Sequence, residues 1–411
     1  MAIETRVLRP EEWDSWYGNL EWAFGGTPES PEERKLYRSL TEFERSLGVW
    51  DGETPVGCAG AFSFRMTLPG GGVLPVAGVT MVGVAPTHRR RGVLTSMMRR
   101  QLDDVRARGE AVAVLTASEP EIYGRFGYGV GTRCVSLDAD VTRARIARLP
   151  EGVDEVRLRR VDPREALAAC ERVYAALVPE RPGMMERRPG WEEQDLLDPE
   201  ANREGCSPLV CVVAEDAAGE VVGYVRYALR SDWELSGAEG KAEVRTLDAS
   251  TPAAYAALWR YVFELDLVSR VRVHRLPVDA PLLHLVNDVR RCEVRVRDSL
   301  HVRLVDVDAA LAARRYRSPV DVVLDVVDGF LPENSGRRRL TGDAKGAQCA
   351  PTTDAAELRL DVRELGAAYL GGTTLRELAA AGLVTELRPG ALAAASTAFA
   401  GDVAPWLPHG F

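Results

Sequence analysis

The sequence is poor in the features that would take it to a membrane, a secreted scaffold or a metal site. No apolar run approaches the roughly 18 residues that a membrane helix needs. The start, Met-Ala-Ile-Glu-Thr-Arg-Val, has neither the basic region nor the apolar core of a secretory signal. Cysteines number seven, an odd count with no C-x-x-C pair, and read as reduced thiols in a cytoplasmic protein. The five histidines show no H-x-x-x-H spacing, so no metal is expected. Positive charge is in deficit, with 52 Lys and Arg against 61 Asp and Glu and a net charge of −9. That balance argues against a surface built to bind nucleic acid or an anionic membrane, and it suits a cationic small molecule. The rest is ordinary: 46% hydrophobic and 27% charged residues, in a 411-residue chain long enough for about three domains.

What is present centres on Val79 to Gly109. Val79, Met81, Val82 and Val84 form a strand that Pro86 ends. Thr87 then suits a helix start. Leu94, Met98, Leu102 and Val105 recur at helical spacing, and Gly109 closes the helix. The junction holds Arg89, Arg90, Arg91 and Gly92. The free N–H groups and positive dipole end of a helix, next to a glycine and three arginines, can hold a pyrophosphate. A solvated basic turn has the same composition. The apolar strand before it and the amphipathic helix after it favour the anion site.

The pattern Arg89-x-x-Gly92-x-Leu94 resembles the acetyl-CoA loop of the GNAT superfamily of N-acetyltransferases, with Leu94 where a small residue is usual. The longer strings V-A-P-T-H-R-R-R-G-V-L and I-Y-G-R-F-G-Y-G (Ile122 to Gly129) are similar to one branch, the enhanced intracellular survival (Eis) family. Its members are mycobacterial and actinobacterial aminoglycoside acetyltransferases. The resemblance runs the whole chain. It implies an α/β (α+β) architecture of tandem GNAT-like domains followed by a sterol-carrier-protein-like α+β domain, assembled as a homohexamer.

The residue pattern can be laid on that plan. A strand at 4–9, two helices broken at Gly25-Gly26-Thr27-Pro28, strands at 46–50, 56–68 and 73–84, a helix at 87–108 and a strand at 111–117 follow one another. Ser118 caps a short helix carrying Tyr123, and Gly127 to Leu137 forms a last strand. This gives a first domain at 1–150. Residues 151–304 repeat the order loosely. Their strand–helix junction is Leu247-Asp248-Ala249-Ser250-Thr251-Pro252, with an acid and no arginine or glycine, so this copy reads as having lost its CoA site. The loop Val178 to Pro189 is expected near the active site. From 305 to 411 the texture is that of a smaller α+β unit.

Acetyl transfer to an amine needs a cradle for CoA, a donor for the leaving thiolate and an acceptor for the amine proton. The expected CoA residues are Arg89 to Thr95 (with Arg90, Arg91, Gly92, Val93 and Leu94), the splayed strand at Val82, Gly83 and Val84, and Ser118 and Glu119. Tyr123 is the candidate donor, since phenol and thiol titrate within about two units of each other, and Tyr128 is its rival. The resemblance assigns the donor role to Tyr123 and proton removal to the carboxylate of Phe411. Trp406, Leu407 and Phe411 give the tail apolar surface with which to dock. Gly410 cannot supply a substrate-binding acid, a departure from the more acidic ends of the family. Trp22, Phe24, Glu29, Glu32 and Glu33 sit around the helix–helix loop expected to wall the acceptor. The implied acceptor is an aminoglycoside or similar small amine. Alternatives are a protein or peptide lysine, and a non-enzymatic acyl-CoA or lipid-binding role.

Overall fold

The computed structural model describes residues 3–235 and 237–411. The first unit runs β1 (Ile3–Val7), α1 (Trp13–Ala23), α2 (Pro31–Leu40), β2 (Leu47–Asp51), β3 (Thr54–Thr67), β4 (Val73–Val84), α3 (Val93–Ala107), β5 (Val112–Thr116), α4 (Pro120–Gly124) and β6 (Gly129–Val130). Helix α1 buries Trp13, Trp16, Tyr17 and Leu20, one helical stripe against the sheet. Helix α2 starts in a capping box in which Ser30 and Glu33 satisfy each other's backbone N–H groups. Strand β5 is apolar from Val112 to Leu115 because it is covered twice. Val112 and Val114 face one core, and Ala113 and Leu115 face another built with α3.

The second unit contains β7 (Arg133–Asp140), β8 (Arg157–Val161), α5 (Leu167–Leu177), β9 (Val210–Glu215), β10 (Val221–Arg230), a short hairpin of β11 (Trp233–Glu234) and β12 (Gly237–Ala238), β13 (Gly240–Ala249), α6 (Pro252–Phe263), β14 (Val268–Pro277), α7 (Leu282–Leu285), β15 (Arg295–Asp298) and β16 (Leu300–Leu304). The third has α8 (Val307–Ala313), β17 (Val320–Val327), β18 (Gly336–Gly342), β19 (Ala347–Pro351), β20 (Leu358–Asp361), α9 (Val362–Tyr369), α10 (Leu375–Ala380), β21 (Val384–Glu386) and α11 (Ala391–Phe399). The sheet orders are β1-β2-β3-β4-β5-β16-β6, β15-β7-β14-β13-β10-β9-β8 and β19-β18-β17-β20-β21. Among the described residues no helix is long and apolar enough to cross a membrane.

The single strand expected over Gly127 to Leu137 is two strands in two sheets. β6 stays in the first sheet, and β7 crosses to pair with β14 and β15 of the second. In return β16 leaves the second unit and enters the first sheet between β5 and β6. The crossing is tied at Thr132, whose hydroxyl accepts the Leu300 N–H at 2.9 Å and whose carbonyl accepts the Ser299 N–H at 3.0 Å. The third unit shares a core with the first, continuous from Phe62 and Phe64 through Val302 and Leu365 to Leu407. Close contact is possible because a Cβ at Gly129 would fall 2.0 Å from the Arg363 carbonyl, and only glycine fits there.

Two helix starts also differ from the sequence reading. Thr87 lies in a one-turn 3-10 segment, and α3 begins only at Val93 because Gly92, at φ 83°, forms its N-cap. The N-cap of α4 is Glu119 rather than Ser118; Pro120 at the first helical position fixes the start one residue later.

Candidate active site

Strands β4 and β5 are parallel but pair only at Ala77 with Ala113 and Gly78 with Val114. Past that point they diverge. The register of β3 on β4 passes from Gly60 opposite Thr80 to Cys58 opposite Gly83, so Met81 and Val82 together face Ala59. Met81 takes φ 52° in this bulge, a left-handed conformation that few side chains adopt. A bulge bends the strand and re-aims its backbone groups. The resulting V holds two adjoining cavities. One, of about 720 Å³, lies between the end of β4, the arginine loop and α4. The other, of about 390 Å³, lies between α1, α2, the two strands and Phe411. Phe24, Val82, Ser118 and Tyr123 border both.

The larger cavity is bordered by basic residues and by an uncapped helix start. No side chain caps the first turn of α3, so its N–H groups are left for something else to satisfy. Arg89 is held by donating to the Ala23 carbonyl at 3.1 Å, and Arg90, at φ 62°, completes the turn. A Cβ built on Gly92 would meet nothing within 4 Å, so the space above the turn is open.

Tyr123 stands where the cavities meet and is 8% exposed. Burial pushes its phenol up to about 12, with Cys58 and Glu119 adding to the shift, so it is a proton carrier and not a phenolate. Tyr128 lies behind it, ring centroids 6.0 Å apart and edge to face. It is fully buried and borders neither cavity.

In the smaller cavity the Tyr17 hydroxyl donates to Glu29, whose carboxyl burial raises in pKa. The Glu29 N–H donates to Glu21 at 3.0 Å, and Glu21 is paired with Arg34 at 2.7 Å. The lining also includes Arg275, Arg297 and Phe411. The Phe411 ring rests 5.0 Å from that of Phe64. The tail leading to it is fixed by the Trp406 N–H on the Pro182 carbonyl at 2.9 Å, by buried Leu407, and by His409 beside Tyr174 and Trp191.

Comparison with known proteins gives the family. Acetyltransferase (GNAT) domain families match residues 4–131 and 183–304, and a sterol carrier protein domain matches 307–408. An uncharacterized N-acetyltransferase of Streptomyces avermitilis is 59% identical over 411 residues, covering 100% of both chains. The N-acetyltransferase Eis of Mycobacterium bovis is 36% identical over 404 residues, covering 95% of this chain and 96% of that one. The chain belongs to the Eis family of GNAT N-acetyltransferases. The crystal structure of Eis1 from Mycobacterium abscessus matches this Eis-family fold with a TM-score of 0.85 at 34% identity over 100% of both chains.

Within this Eis-family chain, Val82, Gly83, Val84, Arg89, Arg90, Gly92, Val93, Leu94, Thr95, Ser118 and Glu119 border the larger cavity together with Tyr123. Arg91 is exposed and does not border it. Phe24 and Glu29 reach the smaller cavity. Trp22 is 48% exposed outside it, and Glu33 is occupied in the α2 capping box. The loop Val178 to Pro189 does not line either cavity but braces the tail. Gly183 and Met184 hydrogen-bond Thr67 of β3, and Pro182 holds Trp406. Tyr17, Tyr37, Arg275 and Arg297 were missed. The tyrosines lie on the apolar stripes of α1 and α2 and look like core residues in sequence. The arginines come from the second unit and reach the site only through the strand exchange.

Proposed function

We propose that this N-acetyltransferase holds acetyl-CoA in the larger cavity and an acceptor amine in the smaller one. The observation that carries the reading is that the two cavities adjoin at one buried, protonated tyrosine. The first turn of α3, Arg89 and Arg90 would bind the pyrophosphate, and the diverging edge at Val82 to Val84 would pair with the pantetheine amides. When bound, acetyl-CoA supplies the acetyl group as a thioester, whose sulfur must gain a proton as the amine loses one. Tyr123 Oη holds the proton for the sulfur. If Phe411 is the last residue, its carboxylate would take the amine proton, directly or through water, since Phe411 borders the smaller cavity. An α-carboxyl titrates several units below an amine, so it relays a proton and is no strong base.

The second unit is proposed to bind no CoA. Its junction residue Asp248 is buried and accepts from the Tyr224 hydroxyl at 2.6 Å, and Thr251 caps α6 by accepting the Ala254 N–H. Aminoglycosides are the first acceptors to try on the family tie, with protein or peptide lysines second. Assembly as a homohexamer is part of the proposal. Trp233 and Leu235, 66% and 110% exposed on the β11–β12 hairpin, are apolar surface available to it. Thiol release from acetyl-CoA over a panel of amines tests the reaction. Release should depend on the amine, and calorimetry should find one CoA site per chain. Amine-independent release, or two CoA sites, would contradict the reading.

A further inference from the structure

The smaller cavity carries two positive charges that acetyl transfer as such does not require. The register of β14 on β7 passes from Val273 opposite Leu137 to Leu276 opposite Val135, so His274 and Arg275 together face Ser136. Such a bulge turns a side chain out of the regular alternation, here into the cavity. Arg297 stands on β15 opposite Cys134, the same β7 residue that Pro277 of β14 meets from the other side. Both arginines border the cavity with Tyr123 and Phe411.

Neither is paired with a carboxylate among the described residues. Both arginines keep solvent-exposed side chains where they border the cavity, and the groups that act on the charge of Arg275 are Cys134, Arg297 and Tyr37. The nearby acids are engaged elsewhere. Asp298 holds His301 at 2.8 Å, Glu293 holds Arg270 at 2.9 Å, Asp279 holds Arg181 at 2.7 Å and Glu21 holds Arg34 at 2.7 Å. Of the side-chain carboxylates that line the cavity, Glu29 takes the Tyr17 hydroxyl and has no cation within ion-pair distance, and the Phe411 carboxylate proposed above would be a further anion there. The cavity lining therefore includes a half-buried carboxylate and two guanidiniums that act on each other's charge. Side-by-side guanidiniums repel each other unless an oxyanion bridges them, and their forked N–H groups match carboxylate or phosphate.

We propose that the acceptor is an amine that also carries an oxyanion, a carboxylate or a phosphate, held by Arg275 and Arg297 while its amine lies towards Glu29 and Tyr123. This rests on the acetyl-transfer reading and narrows its acceptor. A polycation of the aminoglycoside kind would bring positive charge to the two guanidiniums. One competing role is local. A Cβ at Gly410 would lie 3.1 Å from an Arg275 guanidinium nitrogen, so this arginine touches the chain end and can hold it in place.

The test uses the full chain, acetyl-CoA and amines of matched length: an ω-amino carboxylate, an aminoalkyl phosphate, a plain alkylamine, a linear polyamine and an aminoglycoside. The better of the two oxyanion-bearing amines should exceed the plain amine in kcat/KM by about 10–100-fold, the worth of a charge-assisted hydrogen bond or two. The ranking of the first two separates carboxylate from phosphate. Arg275→Gln and Arg297→Gln should each collapse that ratio through KM, and Arg275→Lys should restore part of it. Preference for the plain amine, the polyamine or the aminoglycoside would overturn the inference. So would variants that slow every amine alike with the ratio intact, since this would assign the arginines to holding the tail. If no amine releases thiol, the enzyme reading fails instead. Calorimetry of the aminoalkyl phosphate on the CoA-loaded protein then decides the inference by itself, through binding lost in both variants or no binding at all.

Discussion

Tyr123 gains from being buried. At about 12 its phenol sits roughly 3–4 units above a thiol near 8.5, so complete transfer to a free thiolate is uphill by about 5 kcal/mol. Its first contribution is then a hydrogen bond to the sulfur as charge develops, with the proton following once the amine has lost its own. Tyr123→Phe should lower kcat by about 100–1000-fold with acetyl-CoA binding retained, as read by single-turnover rates and calorimetry. The pH profile should show no basic limb from this residue below about pH 11, because the phenol stays protonated. His409 makes the opposite case. Burial, then Arg187, lower its pKa from 6.5 to about 4, so the folded chain keeps it neutral. A histidine depressed in this way contributes stability that is present above pH 6.5 and lost as pH falls towards 4. The loss is about 3 kcal/mol at most, and it falls on the tail that carries Phe411. The stability of wild type, read by denaturant unfolding, should fall through that window as pH is lowered, and His409→Gln should flatten the slope. An unchanged slope in the variant would show that other groups set it.

The strand–loop–helix from β4 to α3 shows how much of the site can be read in sequence. Arg89, Arg90 and Gly92, which border the larger cavity, stand out in sequence because an anion at a helix N-terminus would demand particular residues at fixed local offsets. The start of α3 was misplaced because Thr87 has the right chemistry for a cap, and only the left-handed φ of Gly92 moves the start to Val93. The bulge at Met81 left no trace, since Val-Thr-Met-Val reads as uninterrupted strand. The bulge that exposes Arg275 was invisible for the same reason. Gly92 gives the test at this scale. Its φ of 83° costs other residues about 1–2 kcal/mol, yet a Cβ there meets no protein atom within 4 Å. Gly92→Val should therefore fold, with far-UV circular dichroism unchanged, and should weaken acetyl-CoA binding by about tenfold or more as strain and bulk fall on the anion site. Unchanged affinity would place the pyrophosphate elsewhere.

At the scale of the whole molecule the three units were legible in order and composition, but not their interdependence. Strand exchange pairs segments about 170 residues apart, and period-2 patterning records that a strand exists without recording its partner. The proposed active site draws on all three units, since its smaller cavity is lined by Tyr123 from the first, Arg275 and Arg297 from the second, and Phe411 from the last. The chain end is the most demanding part of that assembly. Trp406 and Leu407 bury apolar surface, Pro405 and Pro408 reduce the entropy lost when the tail orders, and the Phe411 ring settles against Phe64 and Gly78 where β4 and β5 part. If a carboxylate there takes the amine proton, extending the chain past Phe411 removes it from the site, and deleting Phe411 withdraws it. Either change should cut turnover by about 100-fold or more. Neither should abolish acetyl-CoA binding, because Phe411 does not border the larger cavity. A tag of equal length at the N-terminus is the control. Full turnover with the C-terminal tag would show the carboxylate to be a bystander, and Glu29, half-buried in the same cavity with its pKa raised, would become the base to test.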